Sequence, residues 1–112
     1  NCHFIRGNSH LAKTELSLER QMRKCRIDQF DFIFIDGDHG YEGVKQDFEI
    51  YKQFCRSGVL IAFHDIVDSP RHRERGVYVN QFWNEIKDQY PSTQIIYGNN
   101  DWGGISVLEM PV

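Results

Sequence analysis

The run Phe-Asp-Phe-Ile-Phe-Ile at 30–35 breaks into Asp36-Gly37-Asp38-His39, and no other junction constrains the chain as much. Six residues rich in β-formers are too few for a stable helix, so the run predicts a strand buried on both faces, as in the interior of a parallel sheet. From Tyr41 the period changes. Tyr41, Val44, Phe48, Tyr51 and Cys55 recur at three and four residues, with Glu42, Lys45, Gln46, Glu49 and Lys52 on the other side, the pattern of an amphipathic helix laid on a sheet. Gly58 is expected to cap that helix, and 59–63 is a second continuous apolar strand running into His64 and Asp65.

The remaining segments extend this strand–helix–strand unit. Residues 3–6 form a short strand candidate closed by Gly7, with turn and helix N-cap chemistry at Asn8 and Ser9, and Leu11, Leu18, Met22 and Cys25 mark a helix over 11–25. Residues 67–76, with Pro70, Gly76 and a cluster of basic side chains, read as a surface loop in which His72 is solvated. Val79, Phe82, Trp83, Ile86 and Tyr90 mark another amphipathic helix, stopped by Pro91. Strands at 93–97 and 105–109, joined through the turn-rich 98–104 with Trp102 packed in the turn, should pair antiparallel and add an antiparallel edge. The whole is an open α/β sandwich, mostly parallel, in which ligands gather at the carboxyl ends of the strands.

A chain of 112 residues, 40% hydrophobic, is the size of one domain. A formal charge of -3 gives no broad basic surface, so nucleic acid and anionic membranes are not expected partners. No apolar run approaches the roughly 20 residues of a membrane span. Cys2, Cys25 and Cys55 lack Cys-x-x-Cys spacing and are expected as buried, reduced thiols in an intracellular, cytoplasmic protein. The chain opens without methionine, with an apolar pair already under way at Phe4-Ile5, and is read as a piece of a longer protein.

If the two apolar strands are neighbours, Asp36 and the His64-Asp65 pair converge across about one strand spacing of 4.8 Å. Two oxygen donors at that separation suit a hard cation of the magnesium type, whose waters a substrate with vicinal hydroxyls could replace. His39 is placed to take a proton from the polarised oxygen, because imidazole titrates near working pH. The plainer alternative is structural: Asp36-Gly37 closes a turn, Asp38 caps the helix from Tyr41, and His64 bonds to backbone. Both polar clusters fall at the same sheet edge, which favours a site.

The 31–66 stretch, followed by Arg-Gly-Val-Tyr-Val-Asn-Gln-Phe-Trp at 75–83 and Trp-Gly-Gly-Ile-Ser-Val-Leu-Glu-Met at 102–110, resembles the carboxyl-terminal half of class I S-adenosylmethionine-dependent methyltransferases. The likeness is nearest to the catechol-type and macrolide-sugar O-methyltransferases. It implies a Rossmann-like three-layer sandwich whose seven-stranded sheet has an antiparallel last strand. Residues 1–112 would supply its third to seventh strands, the N-terminal strands being missing together with the glycine-rich loop and the ribose-binding acid. By the same resemblance Asn8, Ser9 and Asp36 approach the S-adenosylmethionine, and Asp36, His64 and Asp65 occupy the positions of the metal ligands of Mg2+-dependent members. His64 stands where those members usually carry a carboxylate, and His39 matches a catalytic base. The implied reaction is methylation of a hydroxyl on a small molecule such as a sugar or phenol. A non-catalytic binding module and a metal-dependent hydrolase are the alternatives. With its first strand uncovered, the 30–35 edge is expected to drive self-association.

Overall fold

The structure is a computed structural model describing residues 2–98 and 101–112. Asn99 and Asn100, in the expected turn at 98–104, lie outside the described residues, as does Asn1. In chain order the elements are α1 (Ala12–Cys25), β1 (Phe30–Ile35), α2 (Tyr41–Tyr51), β2 (Cys55–His64), α3 (Pro70–Glu74), α4 (Val79–Ile86), β3 (Ser92–Ile95) and β4 (Ile105–Glu109). No helix of the described residues is long and apolar enough to cross a membrane.

The sheet order is β1-β2-β4-β3, with β1 and β2 parallel and β4 antiparallel to both of its neighbours. The expected antiparallel hairpin of β3 and β4 forms the edge of the sheet opposite β1, with β4 as its inner strand, pairing Ala62 with Val107 and Thr93 with Val107. This leaves β2 and β3 running in the same direction on either side of it.

One face of the sheet carries the core. Ile61, Phe63 and Leu108 are at most 1% exposed and pack with Val44 and Phe48 of α2 and with Phe82, Trp83 and Ile86 of α4. Phe48 is the hub, its ring 5.5 Å from Phe82, 5.9 Å from Phe63 and 6.2 Å from Tyr90. A Trp83 indole N–H donates to Gln94 Oε1 at 2.9 Å, tying α4 to β3. The other face is open: Phe32, Phe34, Leu60, Ile95 and Ile105 are between 38% and 64% exposed. The expectation that β1 is buried on both faces therefore fails, because the described residues place helices on one face only. An apolar run alone does not say which of its sides a neighbour covers.

Other local expectations are corrected for identifiable reasons. Residues 3–6 form no strand, having no neighbouring strand to pair with among the described residues. Neither Asn8 nor Ser9 caps α1, whose N-cap is Leu11; Asn8 Oδ1 instead accepts from the His10 amide at 2.9 Å. Gly58 does not end α2. It lies within β2 at φ +77°, where the register jumps from Phe30 opposite Cys55 to Phe32 opposite Leu60, a bulge that requires the left-handed conformation glycine adopts freely. The cysteines are not buried: Cys2 is exposed and the other two are intermediate. Burial still raises the Cys55 thiol above its ordinary pKa.

At the end of α1, Arg26 takes φ 56° and ψ 43°, its N–H meeting the carbonyls of Arg23 and Met22. A side chain in this conformation clashes with its own carbonyl, and glycine does not. Arg26→Gly is expected to stabilise the chain by about 0.5–1 kcal/mol, read as a higher urea midpoint at unchanged slope.

Candidate active site

The parallel pairing of Ile35 with Phe63 brings the next residues of both strands side by side. Asp36, His39, His64 and Asp65 then form a closed ring of alternating oxygens and nitrogens. His39 Nε2 lies 3.2 Å from Asp36 Oδ1 and 3.5 Å from Asp65 Oδ2. His64 Nδ1 lies 3.4 Å and 3.2 Å from the same two oxygens. The convergence expected from the two strand ends is realised, and His39 joins it. Its backbone is held by a 2.7 Å hydrogen bond from the Tyr78 amide to the His39 carbonyl, which anchors the 36–40 loop to the start of α4.

Asp65 is the least ordinary member. It takes φ +64°, a conformation that non-glycine residues adopt at a cost, Asp and Asn most readily. Its amide donates to the Gly104 carbonyl at 3.0 Å, so the 101–104 loop holds the turn. The residue is 4% exposed, and Oδ1 has no hydrogen-bond partner among the described residues. His72 Nε2 is only 3.6 Å away but cannot serve as donor. That nitrogen accepts from the Gly103 amide at 3.1 Å, which leaves the proton on Nδ1, donated to the Val67 carbonyl at 2.6 Å.

His72 was expected in solvent on a surface loop and is instead fully buried. Residues 70–74 form α3, begun by Pro70 and by Ser69, whose hydroxyl oxygen accepts from the His72 amide at 3.1 Å. One ring thus clamps the 67–76 and 101–104 segments together behind Asp65. Trp102 packs over it, ring centroids 4.5 Å apart, with the Arg71 and Arg75 guanidinium groups about 5 Å from the indole.

Beside the ring, an open cavity of about 480 Å³ runs along β1 and is lined by Ser9, Asp36, Gly37, Asp47, Tyr51 and strand side chains. Of the three residues expected at the cofactor, Ser9 and Asp36 share this cavity, whereas Asn8 lines a neighbouring one. Asp38 does not enter the ring; its Oδ1 accepts from the Gly40 amide at 2.9 Å, shaping the turn into α2. Asp47, not singled out from the sequence, is buried and accepts from the Ser9 hydroxyl at 2.6 Å, with His10 Nε2 at 3.2 Å. The signal was present: Asp47 is an acid on the apolar stripe of α2, between Val44 and Phe48. Tyr51 donates to the Ser9 carbonyl at 2.6 Å, and burial, with the nearby Asp47 charge, raises its phenol pKa and keeps it a donor.

As a metal site, Asp36, His64 and Asp65 each offer one ligand atom, all within 4.8 Å of one another. Asp36 Oδ1 and Asp65 Oδ2 supply two of the oxygens a magnesium ion would require, but the third donor is an imidazole nitrogen, a poor match to a hard cation.

Comparison with known proteins places this geometry. The profile of a family described as a methyltransferase domain matches residues 1–66, a span that contains all four side chains of the ring. An O-methyltransferase of Streptomyces achromogenes, TomG, involved in tomaymycin synthesis and solved with SAM, is 16% identical with a TM-score of 0.52, over 88% of this chain and 47% of that one. Cofactor-bound Rv0187 from MTB is 16% identical with a TM-score of 0.51, over 84% of this chain and 46% of that one. The chain thus spans about half the length of the solved structures it matches. An uncharacterised protein of Acanthamoeba polyphaga mimivirus is 45% identical over 38 residues, 34% of this chain and 17% of that protein. The structural likenesses establish the fold, and the profile match over more than half of the residues means that the chain belongs to the methyltransferase-domain family.

Proposed function

We propose that the chain is part of an S-adenosylmethionine-dependent O-methyltransferase acting on a hydroxyl of a small molecule. The observation that carries this reading is the position of Asp36, whose carboxylate both lines the β1 cavity and closes the ring with His39, His64 and Asp65. A donor held in the cavity and an acceptor held at the ring would meet there. When bound, S-adenosylmethionine supplies a methyl group on a sulfonium, an electrophile that needs no further activation. The chain's own task is to present a deprotonated oxygen. Asp36 and Asp65 accept from the Nε2–H of His39 and orient the half-exposed imidazole, whose other nitrogen, Nδ1, accepts the hydroxyl proton; the two carboxylates then stabilise its charged form. With the donor bound, the hydroxyl proton would pass to His39 as the oxygen bonds to the methyl carbon, and the methyl–sulfur bond would break with its electron pair left on sulfur.

Calorimetric titration of the chain with S-adenosylmethionine tests the reading. Saturable binding that weakens with Ser9→Ala is expected if the β1 cavity holds the donor; no heat from a folded sample would place the donor site outside this chain. The three free cysteines support a cytoplasmic, reducing setting.

Self-association through β1 belongs to the same proposal. β1 is a terminal strand of the sheet, and Phe32 and Phe34 beside its open edge are 52% and 46% exposed. Light scattering of the 112-residue chain should show a species larger than a monomer, reduced by Phe32→Lys. A clean monomer at tens of micromolar would remove the edge as an interface.

A further inference from the structure

We infer that Asp47 is a specificity-determining residue of the β1 cavity, its buried charge favouring the cationic methyl donor over the product, whose sulfur is uncharged. Of the described residues lining that cavity only Asp36 and Asp47 carry charge, and both are acids. Among the described residues no lysine or arginine pairs with Asp47; the basic group beside it is His10. An apolar-walled space bounded by two carboxylates attracts a cation.

The two carboxylates are not equivalent. Asp36 Oδ1 faces His39 and His64 at 3.2 Å and 3.4 Å, within the ring. Asp47 is 4% exposed, and its contacts with the Ser9 hydroxyl at 2.6 Å and His10 Nε2 at 3.2 Å both fall on Oδ1. His10 Nε2 also lies 3.1 Å from the Gly43 carbonyl, so a single proton on that nitrogen serves both acceptors and the ring need carry no charge. Oδ2 is left toward Gly37, which lines the same cavity: a Cβ built there would sit 3.4 Å from it. A buried carboxylate with one oxygen turned to a cavity and no fixed counter-charge is costly until a cation enters.

The inference rests on the reading that this cavity holds S-adenosylmethionine, and adds which property of the donor is recognised. S-adenosylmethionine and S-adenosylhomocysteine differ by one methyl group and one positive charge on sulfur. Gly37 directly follows Asp36, the residue shared by cavity and ring, so Asp47 Oδ2 lies at the end of the cavity where the methyl group is passed on. Once the electron pair stays on sulfur, the attraction to Asp47 is gone and the product is held less tightly. Charge, rather than shape, then separates donor from product.

The test is calorimetric titration of the chain with S-adenosylmethionine and with S-adenosylhomocysteine, read as the ratio of the two affinities. Asp47→Asn keeps an oxygen for Ser9 and His10 and removes the charge. It should move the ratio toward the product by about 10-fold or more, the usual worth of an opposite charge within about 4–6 Å, with affinity for S-adenosylhomocysteine within about 3-fold of the unsubstituted chain. Ser9→Ala keeps the charge, so it should weaken donor and product alike and leave the ratio unchanged. Gly37→Ala serves should Asp47→Asn fail to fold. Gly37 is not in the left-handed region, and beyond its chain neighbours the added methyl group meets only Asp47 Oδ2 within 4 Å. By screening that oxygen it should shift the ratio the same way. A ratio unmoved in Asp47→Asn, with equal losses for both ligands or with none, would overturn the inference and leave the donor site standing. A folded chain that binds neither ligand would overturn the inference together with the reading beneath it.

Discussion

His39→Ala is expected to lower the rate of methyl transfer by about 10²–10⁴-fold, the usual contribution of a positioned general base. The loss should appear in turnover rather than in affinity for S-adenosylmethionine, since His39 does not line the β1 cavity. Two carboxylates hold the imidazole, Asp36 Oδ1 at 3.2 Å and Asp65 Oδ2 at 3.5 Å, so it is oriented before an acceptor arrives. Single-turnover transfer of a labelled methyl group, with the chain in its complete enzyme, measures the effect. Two further results separate a base from a merely structural residue. His39→Gln should be as slow as alanine although it restores a hydrogen-bonding side chain. Raising the pH should partly rescue both variants for phenolic acceptors, which then ionise unaided. A His39→Ala enzyme with full turnover would remove the residue from this role.

The second large effect concerns stability. Phe48→Ala should cost about 3–5 kcal/mol, as expected for truncating a buried aromatic ring. Phe48 is 1% exposed and touches rings from three other segments: Phe63 on β2, Phe82 on α4 and Tyr90 beyond it. Among the described residues helices cover only one face of the sheet, so no second core there compensates for a cavity. Against a typical total stability of about 5–15 kcal/mol, the variant should be close to unfolding at room temperature. Phe48→Leu, keeping most of the volume, should lose far less. Urea unfolding followed by far-ultraviolet circular dichroism measures both, and a loss below about 1 kcal/mol for alanine would mean that the cluster does not hold the layers together.

Much of this arrangement was legible along the chain. The change from a β-rich apolar run to helical spacing at Tyr41 located β1 and the start of α2, though not the end of that helix, and the polar residues at both strand ends marked the candidate site. Period and composition are local properties, and these elements are long enough to express them. The 105–109 strand was also placed correctly, together with its antiparallel pairing to β3. Which strand of that hairpin lies inside the sheet was not legible, because strand order depends on which neighbour a returning strand meets, and no local pattern records that.

His72 shows the same limit at a single residue. Flanked by Arg71, Arg73, Glu74 and Arg75, it reads as solvated, and four charged neighbours do indeed face solvent. Only the fold shows that one turn of α3, started by Ser69 and Pro70, rotates this ring inward under Trp102 to accept the Gly103 amide. Asp47 was overlooked for the converse reason: a charge on an apolar stripe looks like an interruption until Ser9 and His10 arrive from 38 and 37 residues away.

By itself the sequence determined the class of fold, the two strand ends that bear the polar cluster and the identity of the groups there, since these follow from periodicity and from side-chain type. The tertiary structure alone decided that His39 and His64 face the same two carboxylate oxygens, that the Asp65 carboxylate is buried with one oxygen unsatisfied, and that β4 lies within the sheet. Those facts depend on distances between segments remote in sequence, and such distances are set by packing and hydrogen-bond satisfaction across the whole domain rather than by any local preference of the chain.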